Sequence, residues 1–266
     1  MTRHLVLVLG DQIDRGSGAF DGFDRSRDRV WMAEVAEEST HVWTHKARIV
    51  VFLAAMRHFR DALRAERIDV DYTELAAVAA EDEPASLAAA LTASLARDRK
   101  ANRLAEKIVV VEPGEWRVRE AIRTAAEEAG VPLEIRTDRH FFCSRDEFAA
   151  HAEGRKQLRL EYFYRPLREK FSILMDDGEP AGGRWNFDAE NRGAFPRTGP
   201  GRVPAPVRFP PDAVTRGVID LVNARFAAHP GNLADFDWPV TAADARAALD
   251  DFVSHRLAHF GTYQDA

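Results

Sequence analysis

Asp11, Glu34, Glu38 and Glu115 are carboxylates that fall at or just after short apolar runs, in company with Gly10, Gly114, Lys46 and Trp116. Carboxylates accept hydrogen bonds from ring N–H and hydroxyl groups, glycines let a flat ring approach the backbone, and a tryptophan can stack. Gathered around one crevice, these groups suit a polar heterocycle with a polyol tail. A pyrophosphate would instead favour a glycine-rich turn with basic groups. An equally economical reading makes Asp11 and Glu115 caps of the helices that follow them. The stretch "VEPGEWRVRE", 111–120, sharpens the question. A corner needs Pro113 to preset φ and Gly114 to tolerate a positive one, but it does not need Glu115, Trp116 and Arg117.

Other chemistries find less support. No Gly-x-Gly-x-x-Gly fingerprint follows the first apolar run, and no Gly-Lys-Ser/Thr phosphate loop occurs. Cys143 lies among aromatics in "HFFCS" and reads as a small buried residue. His255 and His259 share a helical spacing but lack a third ligand for zinc.

Two segments carry charge of another kind. "GRKQLRLEYFYRPLREKF", 154–171, interleaves Arg159, Arg165 and four further basic residues with Tyr162, Phe163 and Tyr164. That pattern fits a phosphate-contacting helix of a nucleic-acid binder, or an amphipathic helix with a solvated basic face. "GGRWNFDAENR", 182–192, reads as a loop held by side-chain hydrogen bonds, with Arg184 a further candidate for phosphate contact. Asp188, with Glu190, could hold a hydrated Mg²⁺ beside a phosphate, or the loop could be purely structural.

Elements must position these groups. "HLVLVLGDQ" is a short continuous apolar run ending in Gly-Asp, as in a strand buried on both faces of a parallel sheet. "RVWMAEV", "VDYTEL", "KIVVVEPGEW" and "PLEIRT" supply four more strands. Between them, Ile49, Phe52, Leu53, Met56, Phe59 and Leu63 form one helical stripe, and "DEPASLAAALTASLARD" and "RVREAIRTAAEEAG" read as helices. Strand–helix alternation predicts an α/β fold, a five-stranded parallel doubly wound (Rossmann-like) sheet with helices on both faces and the first strand inside. Ligands then sit beyond the carboxyl ends of the strands. The expected organisation is an α/β domain over 1–140, a connector with the basic helix and a Gly/Pro-rich loop over 141–211, and the start of an all-helical domain over 212–266. The last segment reads as the opening of something that continues.

The composition bounds these readings. The chain has 266 residues, 45% hydrophobic, with a net charge of −6 that gives no whole-surface attraction to nucleic acid. A single cysteine excludes an internal disulfide and a four-thiolate cluster within this chain, and points to a reducing, cytoplasmic setting. The longest apolar run, Leu5 to Leu9, is far short of the roughly 20 residues of a membrane helix.

Taken in order, "LVLVLGDQ", "AEVAEES…HKARIVVFLAAMRHF", "VEPGEWRVRE", "GRKQLRLEYFYRPLREK", "GGRWNFDAENR" and "HFGTYQDA" resemble the N-terminal half of the bacterial deoxyribodipyrimidine photolyase-related proteins, the iron–sulfur cryptochromes and photolyases that include prokaryotic (6-4) photolyases. The resemblance implies that the α/β domain holds an antenna, 6,7-dimethyl-8-ribityllumazine. Gly10, Asp11, Glu38, Gly114 and Glu115 would line its pocket, with Glu34 and Lys46 close by and Trp116 and Arg117 fixing the loop. It further implies UV-damaged DNA as partner, a monomer, and FAD and a [4Fe–4S] cluster in a second half that this chain lacks, so that the chain alone would not repair DNA. A stand-alone lumazine- or flavin-binding light sensor or carrier is the competing reading.

Overall fold

The computed structural model describes residues 2–190, 193–199, 201 and 203–263. Asn191, Arg192 and the final Gln-Asp-Ala of the closing motif lie outside them. The chain divides into two compact units: 1–138 with 208–246, and 139–207 with 247–266.

The first unit is built on five parallel strands, β1 (His4–Leu7), β2 (Arg29–Ala33), β3 (Val70–Thr73), β4 (Lys107–Val111) and β5 (Leu133–Arg136), in the order β3-β2-β1-β4-β5. The expected α/β doubly wound sheet is therefore present, with β1 at its centre. Its continuous apolar runs follow from burial on both faces. Leu5 and Leu7 of β1, Trp31 and Ala33 of β2, and Ile108 and Val110 of β4 point to one side. Val6, Val30, Met32, Val109 and Val111 point to the other. This two-residue alternation sorts the same strands into two cores.

Helices cover each side. The first core is closed by α3 (Leu87–Lys100) and α4 (Trp116–Glu128), through Leu91, Leu95, Val118 and Ile122. After the short helix α1 (Ala36–Thr40), the long helix α2 (Lys46–Ala65) closes the second core through Met56 and Leu63. The outer side of α2 is apolar as well, and Val50, Leu53 and Ala54 meet Val218, Leu221 and Val222 of α7 (Ala213–Arg225). α7 thus belongs to the α/β unit, and α2 lies between the sheet and a further helix.

The second unit contains α5 (Arg145–Ala152), α6 (Leu160–Phe171), a small antiparallel hairpin at Met175–Asp176 and Glu179–Pro180, most of α8 (Ala242–His255), and α9 (Leu257–Tyr263). The sequence pattern reads 241–260 as one helix, whereas the chain breaks it at Arg256, separating His255 from His259. Cys143 is half-buried, more accessible than its aromatic neighbourhood suggests. No helix among the described residues is long and apolar enough to cross a membrane.

Candidate ligand-binding cleft

β1 connects towards β2 on one side of the sheet while β4 lies on the other, so the chain parts above the carboxyl ends of β1 and β4. Such a switch point leaves a crevice that adjoining helices cannot fill. A cleft lies there, enclosing about 190 Å³ below an open mouth. Its rim carries Gly10 and Asp11 after β1, Glu38 and Ser39 from α1, and Gly114 and Glu115 after β4.

The cleft therefore gathers five of the seven expected ring-binding residues as rim groups, and a sixth, Glu34, in its wall. Lys46 does not line it; Thr44 and Arg48, on either side in sequence, do. Trp116 is also outside the lining. It is 65% exposed at the first turn of α4, with the Arg119 guanidinium 5.4 Å from its ring centroid. Its ring is not positioned to stack on a ligand in this cleft.

Arg117 answers the question posed by the Glu-Trp-Arg sequence. Its guanidinium lies 2.9 Å from Glu38, 3.1 Å from Glu115 and 3.6 Å from Glu37. One cation thus ties α1 to the Pro-Gly corner and offsets the repulsion that would drive the rim carboxylates apart. Glu115 occupies the N-cap position of α4 but its side chain caps nothing, and no helix starts at Asp11. Neither residue is explained by helix capping. Gly114 does not adopt a positive φ. What it provides is space: a Cβ there would come to 3.7 Å from Asp11 Oδ2, inside the mouth.

Asp11 is exposed at the rim, and desolvation by the surrounding groups raises its pKa above the ordinary value, with Glu115 and Asp138 adding repulsion. It is thus more ready than a free aspartate to take a proton or meet a donor.

Glu34 is different in kind. Its Oε1 accepts from Arg57 Nε at 2.8 Å and the Tyr72 hydroxyl at 2.5 Å, and its Oε2 accepts from the other arm of Arg57 at 2.8 Å and the Leu75 N–H at 2.9 Å. Four partners fill the lone-pair directions of a carboxylate. Glu34 is therefore unavailable as a free acceptor for a ligand; it anchors the wall between Ala33 and Val35. Burial first, then the Glu34 charge, push the Tyr72 hydroxyl far above its ordinary pKa, so it remains a donor at any working pH.

The floor comes from the helical stripe of α2. Ile49, Phe52, Leu53 and Met56, on the expected stripe of α2, all line the cleft, joined by Leu9, Leu87 and Val118. Helical spacing marks a buried face without saying whether a sheet or a cavity covers it. Ser39, Thr44 and Arg48 carried no sequence signal beyond their nearness to Glu38 and Lys46.

The groups expected to meet DNA lie in the second unit. Arg159 and Arg165 flank the Tyr162 ring at 6.0 and 5.3 Å; Arg165 also ion-pairs with Glu161. Trp185 is flanked by Arg165 at 5.5 Å and Arg168 at 5.0 Å, and its carbonyl accepts from the Tyr164 hydroxyl at 2.8 Å. Arg184 lies 4.3 Å from the Phe187 ring and pairs with Glu190. The Trp185 contacts attach the 184–190 loop to α6. Asp188 donates its backbone N–H to Asn186 at 2.7 Å, and no group of three His, Cys, Asp or Glu side chains suited to a metal occurs among the described residues.

The described residues thus form a doubly wound α/β sheet with an apolar-floored, carboxylate-rimmed cleft at its switch point, the place where ligands of such sheets sit. Residues 6–238 match the family described as deoxyribodipyrimidine photo-lyase-related protein, and the chain belongs to that family. It is 42% identical over 262 residues to the (6-4) photolyase of Agrobacterium fabrum (strain C58 / ATCC 33970), an alignment covering 98% of this chain and 50% of that relative. The chain thus spans half the length of the curated relative it matches.

Proposed function

We propose that this chain is the antenna-binding part of a light-driven, flavin-dependent DNA photolyase acting on UV-induced pyrimidine photoproducts of the (6-4) type, and that its cleft holds 6,7-dimethyl-8-ribityllumazine. The observation that carries this reading is the set of acceptors at the switch point: Asp11, Glu38 and Glu115 above a floor of Phe52, Leu53 and Met56. Ring N–H and polyol hydroxyls are donors that carboxylates satisfy, while the floor covers an apolar ring face. The enclosed volume is below the roughly 300–1,000 Å³ of pockets that engulf a whole drug-sized ligand. A bicyclic ring would be held between this floor and the rim carboxylates.

When bound, the lumazine supplies light absorption and passes the excitation on. The residues of this chain orient it: Arg117 holds Glu38 and Glu115 in place, and Glu34 with Arg57 stiffens the wall. FAD and the [4Fe–4S] cluster are assigned outside these residues, and repair to the flavin. Contact with damaged DNA is assigned to Arg159, Arg165 and Arg184, and Asp188 would be the carboxylate that holds a hydrated Mg²⁺ beside a phosphate.

Titrating the purified chain with 6,7-dimethyl-8-ribityllumazine and following its fluorescence tests the reading. The wild type should bind, and Glu38→Ala should weaken binding about 10- to 150-fold, the value of one hydrogen bond to a charged group. A folded chain that leaves the fluorescence unchanged would overturn the antenna assignment.

A further inference from the structure

When ionised, the rim carboxylates only accept hydrogen bonds, so they satisfy the donors of a heterocycle and leave its carbonyl oxygens without a partner. The wall contributed by α2 is built differently. Arg48, Phe52 and Met56 follow one another at four-residue spacing and all line the cleft. The Arg48 guanidinium lies 5.5 Å from the Phe52 ring centroid. Arg48 is the only cationic side chain among the described lining residues, and among the described residues it forms no ion pair. Its neighbours differ: Arg57 is held by Glu34, and Arg117 by Glu37, Glu38 and Glu115. Leaving a guanidinium unpaired beside so many carboxylates keeps its planar fork of donors available to a ligand.

We propose that Arg48 is a specificity-determining residue of the cleft, donating to the C2 carbonyl oxygen of a pyrimidinedione-type heterocycle whose N–H and hydroxyl groups meet Asp11, Glu38 and Glu115. This rests on the lumazine-class reading above and adds the sense in which the ring is discriminated. An 8-substituted 2,4-dioxo ring offers the guanidinium two adjacent acceptors, the C2 carbonyl oxygen and the N1 lone pair. A 2-amino ring, as in a pterin, offers a donor in place of one of them and sets it against a cation. Ser39 and Thr44 line the same cleft, but their hydroxyls can donate or accept and so do not enforce that choice.

The test compares 6,7-dimethyl-8-ribityllumazine with its 2-amino, pterin-type analogue on the wild-type chain and on Arg48→Lys and Arg48→Gln, by fluorescence titration, with circular dichroism to check that α2 is intact. The wild type should prefer the dioxo ring. Arg48→Gln should lose about 10- to 150-fold in lumazine affinity and most of the preference, and Arg48→Lys should recover part of the affinity with less of the selectivity. A merely structural Arg48 would lower both affinities together and leave their ratio unchanged, which overturns the proposal. So does lumazine binding by Arg48→Gln at wild-type strength. A wild-type chain that binds neither compound overturns the lumazine reading and this inference with it.

Discussion

Glu34 and Arg57 meet through two hydrogen bonds of 2.8 Å in the wall of the cleft, with the Glu34 side chain fully buried and that of Arg57 10% exposed. Removing one partner strands the other's charge. Arg57→Met should therefore lower the unfolding free energy by about 3–5 kcal/mol in urea denaturation, while pairing it with Glu34→Leu should restore only part of that loss, because the Tyr72 hydroxyl and the Leu75 N–H then lose their acceptor. A change below about 1 kcal/mol in the single variant would show that the pair does not support the wall.

Arg117 works at the exposed rim, where ion pairs contribute little to stability. Arg117→Gln should change the unfolding free energy by less than about 1 kcal/mol. It should nevertheless weaken lumazine binding, because Glu38 and Glu115 lose the cation that draws them together. Equal affinity for variant and wild type in a fluorescence titration would show that the rim geometry is set by the backbone alone.

Asp11 should set a pH-dependent difference in stability. Its folded-state pKa is raised, so the folded protein binds that proton more tightly than the unfolded chain does. The favourable contribution is fully present below the unfolded value of about 3.8 and is lost as pH rises through the folded value. Above that window the ionised carboxyl opposes folding. Asp11→Asn should therefore be more stable than the wild type at neutral pH, with the gap closing towards pH 3.8, and should bind lumazine more weakly. Parallel stability–pH curves for the two proteins would contradict the desolvation of Asp11.

Gly231 and Gly114 should respond very differently to alanine. Gly231 has a φ of +106°, and a Cβ there would lie 2.2 Å from the His45 ring. His45 Nδ1 accepts from the Ala47 N–H at 3.0 Å at the start of α2, and Lys46 N–H donates to Pro230 at 2.9 Å. His229, stacked 4.7 Å from Trp43, donates from Nδ1 to the Thr44 carbonyl at 2.9 Å. Gly231→Ala should cost at least the roughly 1–3 kcal/mol of backbone strain and disturb Thr44 at the cleft. Gly114→Ala should leave the thermal midpoint nearly unchanged while narrowing the mouth beside Asp11. Thermal melts of both variants, with lumazine titrations, would check this pair of expectations.

The sheet, its parallel sense and the loops that carry the cleft's rim were all legible in the order of residues. Apolar runs such as Leu5 to Leu9 have no polar face to give to water, so burial on both faces is forced, and strand–helix alternation then fixes parallel pairing. Asp11, Glu38 and Glu115 were legible because they follow such runs. The tertiary structure alone decided which carboxylates remain free. Glu34 and Glu38 are four residues apart and chemically alike, yet Arg57 and Tyr72 saturate one while Arg117 steadies the other at the rim. Likewise Phe52 and Met56 keep the spacing of a core stripe but line a cleft, and Trp116 follows Glu115 directly but turns outward. Partners distant along the chain make these choices. A hydrogen-bonding carboxylate or a buried aromatic is defined by what surrounds it in space, and local spacing carries no record of that.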